Sequence, residues 1–222
     1  MEKYIIVVAG GRGTRMGGDV PKQFLPLAGK RVLMHTLDRM AEAIPDAVLI
    51  LALPHDQQDE WKRLCNTYGY KRRHRVVDGG ETRFHTVTNA LALVPEGALV
   101  AIHDGVRPLV SVDVVREAFA VAERCGAAIP VMPVVESLRC IEGEHSRAVD
   151  RSAYRAVQTP QVFDATQLKA AYSKPYSPEF TDDASVYEAY GYSVTLIDGN
   201  RENIKITIPQ DIALAEIILS QQ

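Results

Sequence analysis

The sequence predicts an α/β fold: a single-domain, Rossmann-like, mainly parallel sheet with helices on both faces, plus a protruding β-hairpin. Three observations carry this. Short β-branched and aliphatic runs alternate with amphipathic segments of helical period, the pattern of strands joined by helical crossovers. Five glycines, at 10, 11, 13, 17 and 18, follow directly on the first such run. Between 133 and 158 the alternation breaks into two extended segments about a polar turn.

Residues 4–8 are unbroken Tyr, Ile and Val, as expected of a strand buried on both faces. Segment 32–43 sets Val32, Leu33, Leu37, Met40 and Ala41 at helical spacing, and 47–53 reads as a second buried strand. A helix over 56–68, a short strand over 75–77, a helix over 82–93, a strand over 99–103, a helix over 113–125 and a strand over 127–132 continue the order. In the arm, 133–158, Val134, Val135, Leu138, Cys140 and Ile141 precede the polar turn 142–146, and 148–157 is again extended. Its apolar edges need cover, from a partner or from the chain's own sheet. Helices over 164–171 and 182–190, a strand over 193–197, an extended piece over 204–206 and a terminal helix from Pro209 complete one domain spanning 1–222.

The glycine cluster is the first functional signal. Glycines bring backbone N–H groups close to an anion, and Arg12, Arg15 and Lys22 add positive charge, so the segment suits a polyphosphate. It fits neither familiar phosphate loop. After Gly11 and Gly13 the next glycine, Gly17, falls one place late for G-x-G-x-x-G, and no glycine precedes Lys-Ser or Lys-Thr as a P-loop requires.

Composition narrows the class. With 46% hydrophobic and 24% charged residues, the 222-residue chain has material for a substantial core. A net charge of -3 provides no general attraction to nucleic acid or anionic membrane. The basic run 71–75 reads as a solvated edge leading into a strand. Cys65, Cys125 and Cys140 form no C-x-x-C pair, so free thiols in a reducing cytoplasm are expected rather than disulfides or zinc. No signal-peptide pattern is present, and no apolar run approaches the ~20 residues that span a bilayer.

Parallel sheets bind ligands beyond the carboxyl ends of their strands, where 78–83 and 103–108 are chemically rich. Arg107, Arg151, Thr159 and Lys205 join the cations of the glycine loop at the expected rim, and no nucleophile motif stands out. Phosphoryl and nucleotidyl transfer need little more than positioning and charge stabilisation. Asp104 is suited to a metal, to a polyol hydroxyl or to capping a turn. Asp182 and Asp183 read as an N-cap cluster. Lys205, between Ile204 and Ile206, projects opposite to both if extended, the pattern of a solvent-exposed lysine.

Taken together, 9–16, 21–23, 78–80, 103–108, Asp150-Arg151, Thr159-Pro160-Gln161, 181–185 and 203–207 closely resemble the 2-C-methyl-D-erythritol 4-phosphate cytidylyltransferases of the non-mevalonate isoprenoid pathway, nearly end to end. The resemblance implies attack of the acceptor's phosphate on the α-phosphorus of CTP, with Mg2+ held mainly by the CTP phosphates rather than by protein ligands. It implies catalytic roles for Arg15, Lys22 and Lys205, and places Ala9, Gly10, Gly11, Gly13, Gly80, Glu81, Thr86 and Gly105 about the nucleotide. It assigns Asp104, Arg107, Ser137, Arg151 and Thr159 to the acceptor, with Ser137 and Arg151 supplied from a partner's arm in a homodimer. Ser137 stands where threonine is usual, Thr86 where serine is common, and Gly105-Val106 where Ala-Ala or Ala-Val is frequent. The nearest rival is ribitol 5-phosphate cytidylyltransferase, which shares the loop and the Asp-x-x-Arg-Pro segment. A non-catalytic nucleotide-binding protein is the rival of another class, and Arg15, Lys22 and Lys205 together argue against it.

Overall fold

A computed structural model describes residues 1–10 and 20–221. Strand β1 (Lys3–Val8) is followed, beyond the glycine-rich segment, by a small hairpin of β2 (Pro26–Leu27) and β3 (Lys30–Arg31). Its loop residues Ala28 and Gly29 have φ of 42° and 81°, as a two-residue loop of the I′ kind requires. Then α1 (Val32–Ala43), β4 (Val48–Leu53), α2 (Gln58–Thr67), β5 (Arg75–Asp78), α3 (Arg83–Leu91), β6 (Leu99–Asp104), α4 (Val112–Cys125) and β7 (Ala127–Pro133) alternate as the periodicity predicts.

The chain continues through β8 (Leu138–Glu142), β9 (His145–Val149), β10 (Arg155–Val157), β11 (Gln161–Asp164), α5 (Ala165–Tyr172), α6 (Asp183–Ala189), β12 (Thr195–Asp198) and α7 (Pro209–Leu219). The main sheet runs β10-β7-β11-β6-β1-β4-β5, with β12 also on β7. Strands β6, β1, β4 and β5 pair in parallel, as do β7 and β12. Strand β11 runs antiparallel between β6 and β7, and β10 is antiparallel to β7.

Three sequence expectations change here. The strand β11 is an addition, because Val162 and Phe163 make too short an apolar run to announce it; both are fully buried between β6 and β7. The extended end of the 133–158 region divides: β8 and β9 pair with each other, whereas β10 returns to the main sheet. Ile141, near the tip of the β8–β9 hairpin, is 71% exposed. Residues 204–206 form no strand, and Ile206 N–H is tied to Val106 O at 2.9 Å.

Alternation along β1 divides the core. Ile5 and Val7 pack with Leu37 and Met40 of α1, Trp61 of α2 and Phe119 of α4 on one face. Tyr4 and Ile6 pack with Val87 of α3, Leu168 of α5 and Tyr187 of α6 on the other. From β1 the chain steps outward to β4 and β5, then crosses back to place β6 on the opposite side of β1. Val8 at the end of β1 lies level with Asp104 at the end of β6, so the switch point of the sheet opens there.

Candidate active site

Two adjoining cavities occupy that edge. The first, of about 310 Å³, is lined by Ala9 and Gly10 after β1, by Lys22, and by Gly80, Glu81 and Thr86 around the start of α3. The second, of about 300 Å³, is lined by Arg107, Gln158, Thr159, Gln161, Thr181 and Asp182. Arg83, Asp104 and Lys205 line both. The predicted Gly11, Gly13 and Arg15 lie outside the described residues.

The walls of the first cavity are set by local bonds. Ala9 N–H donates to Ala52 O at 2.9 Å, and Ala9 O accepts from the Gln23 side chain at 2.8 Å, so the backbone of Ala9 is tied into the fold. Gln23 also donates to Gln57 Oε1 at 2.7 Å, and with its neighbour Lys22 it is buried in a single turn, Lys22–Phe24. Opposite, Thr82 caps α3 by accepting from His85 N–H. Thr86 Oγ1 accepts from Gly80 N–H at 2.9 Å and donates to Thr82 O at 2.9 Å, holding the turn against the helix. A Cβ at Gly80 would lie 2.5 Å from His85 Cβ, so only glycine allows this approach.

Asp104 is the electrostatic centre. Its Oδ2 receives Lys205 Nζ at 3.0 Å and Arg107 Nε at 3.3 Å, and its Oδ1 lies 3.9 Å from Arg83 Nε. Burial pushes the carboxyl upward, but Lys205, Arg83 and Arg107 outweigh that and hold it well below the usual carboxylate range. Lys205 is thus a half-exposed lysine whose ammonium is engaged, which alternation along 204–206 did not reveal. The Asp104 carboxylate, for which spacing leaves three uses open, is thus framed by three cations.

Arg107 is fixed at its other end by Asn203 O, at 2.8 Å. Asn203 is fully buried and donates to Thr159 O at 2.9 Å, joining segment 201–205 to the second cavity. His103, fully buried, bridges Arg107 O at 3.0 Å and Thr159 Oγ1 at 3.1 Å. Burial pushes its imidazole down to about 4, so it is neutral at pH 7. A carbonyl only accepts, which assigns the ring proton to Nε2. The Thr159 hydroxyl then donates to Nδ1 while accepting from Asp104 N–H at 3.1 Å. Thr159 therefore reaches the cavity as part of an internal network.

Other predicted residues fall elsewhere. Gly105 is buried under the first cavity rather than in its lining: its N–H bonds Val8 O at 2.8 Å, and a Cβ there would meet Ala9 Cβ at 3.0 Å. Ser137 and Arg151 are exposed on the arm, and Arg151 donates to Val135 O beside a separate cleft near the arm's base. Within one chain they do not join Asp104.

Arg83 and Asp183 are the residues that motif reading missed. Asp182 is the N-cap of α6, in a reciprocal capping box with Ser185, as expected. Asp183 is not part of that cap: it is fully buried and takes both terminal nitrogens of Arg83, at 2.8 and 2.5 Å. The pair is separated by 100 positions, and no local pattern announces it.

A sheet of this topology, with cations gathered about one carboxylate between two cavities at its switch point, defines a nucleotide-dependent α/β transferase. The chain matches the profile of IspD, 2-C-methyl-D-erythritol 4-phosphate cytidylyltransferase, over residues 4–221, and it belongs to that family. It is 52% identical over 219 residues to the 2-C-methyl-D-erythritol 4-phosphate cytidylyltransferase of Bacteroides thetaiotaomicron, covering 99% of this chain and 100% of that protein. It is similar to the solved structure of the Thermus thermophilus enzyme of that name, with TM-score 0.77 and 34% identity over 99% of this chain and 100% of the other. The 4-diphosphocytidyl-2C-methyl-D-erythritol synthase of Anaerococcus prevotii superposes with TM-score 0.83 at 26% identity, over 99% and 98% of the two chains. No helix among the described residues is long and apolar enough to cross a membrane.

Proposed function

We propose that this protein transfers a cytidylyl group from CTP to 2-C-methyl-D-erythritol 4-phosphate in the cytoplasm. The products are 4-(cytidine 5'-diphospho)-2-C-methyl-D-erythritol, an isoprenoid precursor, and pyrophosphate. A phosphate oxygen of the acceptor forms the new bond to the α-phosphorus as the bond to the β-phosphate oxygen breaks. The observation that carries this reading is the shared wall: Asp104 and Lys205 line both cavities, so two phosphorylated ligands in them would meet at Lys205.

The attacking phosphate is already ionised, so the protein's work is to bring two polyanions together and stabilise charge. Lys22 and Arg15 neutralise the triphosphate and the pentacoordinate transition state, and Lys205 serves the α-phosphate. Ala9, Gly80, Glu81 and Thr86 surround cytosine and ribose, and Gly10 begins the glycine-rich segment that holds the rest of the nucleotide. Asp104 and Arg107 hold the acceptor, Thr159 shapes its cavity, and Ser137 and Arg151 reach it from the partner's arm in a homodimer.

The donor set suits a magnesium ion carried by phosphate. Among the described residues no three His, Cys, Asp or Glu side chains gather as a metal site, and Asp104 is framed by three cations. Magnesium prefers oxygen ligands and keeps several from phosphates and water, so CTP would bring the ion with it. When bound, it adds Lewis-acid stabilisation at the phosphorus oxygens.

Pyrophosphate release with CTP and each acceptor is the test. Turnover with 2-C-methyl-D-erythritol 4-phosphate far above that with ribitol 5-phosphate is expected; the reverse preference, or no turnover with either, overturns the assignment.

A further inference from the structure

We propose that Arg83 is a positioning residue for the acceptor: clamped by Asp183, which Tyr172 holds in turn, it sets the Asp104 carboxylate between the two cavities. This rests on the cytidylyltransferase reading given above. Arg83 is the first residue of α3. Its two terminal nitrogens are committed to Asp183 Oδ1 and Oδ2, at 2.8 and 2.5 Å. Tyr172 donates its hydroxyl to Asp183 Oδ1 at 2.6 Å, and its ring is stacked on Phe84 with centroids 4.7 Å apart, so the carboxylate is itself held in place.

A buried ion pair adds little net stability, because desolvation offsets its attraction. What the two-point fork supplies is direction: a planar guanidinium bound at both ends cannot swing away. The remaining nitrogen, Nε, faces Asp104 Oδ1 from 3.9 Å, beyond hydrogen-bond reach but within strong electrostatic range. Lys205 and Arg107 both take Asp104 Oδ2. Oδ1 therefore keeps its accepting capacity for a ligand hydroxyl, beside a cation that cannot neutralise it by direct pairing. Arg83 lines both cavities, and the one nitrogen that Asp183 leaves uncommitted is turned toward the carboxylate that would bind the acceptor polyol. Losing it weakens the acceptor and spares CTP.

The test compares Arg83→Met, Arg83→Lys and Tyr172→Phe with the wild type. KM for 2-C-methyl-D-erythritol 4-phosphate, kcat, the Kd of magnesium-CTP without acceptor, and Tm are read together. Arg83→Met is expected to raise acceptor KM by about tenfold or more while the CTP Kd changes by less than about threefold. Arg83→Lys, which keeps the charge but loses the fork, falls between. Tyr172→Phe gives a smaller rise in acceptor KM with the same split, which keeps the test available if Arg83→Met does not fold. Acceptor KM unchanged in the folded variants, or acceptor KM and CTP Kd rising together as Tm falls, overturns the proposal. An inactive wild type would instead overturn the reading of the reaction.

Discussion

Phe24 lies nearly parallel to Trp61, their ring centroids 6.1 Å apart and their planes 9° from parallel. Phe24 ends the turn that carries Lys22, and Gln23 between them binds Ala9 O and Gln57. The cation at the first cavity is thus seated by an aromatic contact on one side and an amide clamp on the other. Phe24→Ala should cost about 3–5 kcal/mol in urea unfolding. Trp61 is the chain's one tryptophan, so its fluorescence reports the transition. Below the Tm, kcat should fall as well, because Lys22 loses its seat.

The hydroxyl of Thr86 joins Gly80 N–H to Thr82 O. Thr86→Ser keeps both bonds and should bind CTP within about twofold of the wild type, whereas Thr86→Val loses them and should weaken CTP by about tenfold. Calorimetric titration with magnesium-CTP separates the two variants; equal affinities would remove Thr86 from the nucleotide site.

His103 makes stability depend on pH. Its folded value of about 4 lies below the ordinary 6.5, so the unfolded chain takes up a proton that the native one refuses. Its contribution is complete above pH 6.5 and is lost as pH falls toward 4, amounting to about 2 kcal/mol between pH 8 and pH 5. His35 and His74 are also lowered by burial and act in the same direction. The difference in urea-unfolding free energy between the wild type and a folded His103→Gln variant isolates this residue: the variant should lose less on acidification.

Shared sites would appear on mixing subunits. Arg151→Ala and Arg15→Ala should each be nearly inactive, and co-unfolding and refolding them together should restore about a quarter of wild-type turnover per site, if random exchange leaves half the dimers mixed with one intact site each. Verified exchange without recovery would count against a site built from two chains.

The core was legible because helix and strand periods are local. Residues 4–8 and 47–53 announce buried strands, and the Asp182 cap follows from residues next to each other. Strand β11 was hidden because its burial comes from β6 and β7, which lie on either side of it in space. The close approach of Ala9 and Leu33 to Gly105 was likewise hidden, because those neighbours come from other parts of the chain.

By itself, the sequence determined the alternating architecture, the glycine and lysine segment suited to a triphosphate, and, through the order of its motifs, the cytidylyltransferase family. Those properties reside in neighbouring residues or in motifs readable one at a time. Only the tertiary structure decided that Lys205, Arg107 and Arg83 converge on Asp104, and that Asp183 leaves its helix cap to clamp Arg83. These contacts join side chains up to 101 positions apart, from Asp104 to Lys205, and neither periodicity nor capping rules act over that distance. Bonds from the Arg107 side chain to Asn203 O and from Ile206 N–H to Val106 O bring segment 203–206 to the end of β6, where Asp104 lies.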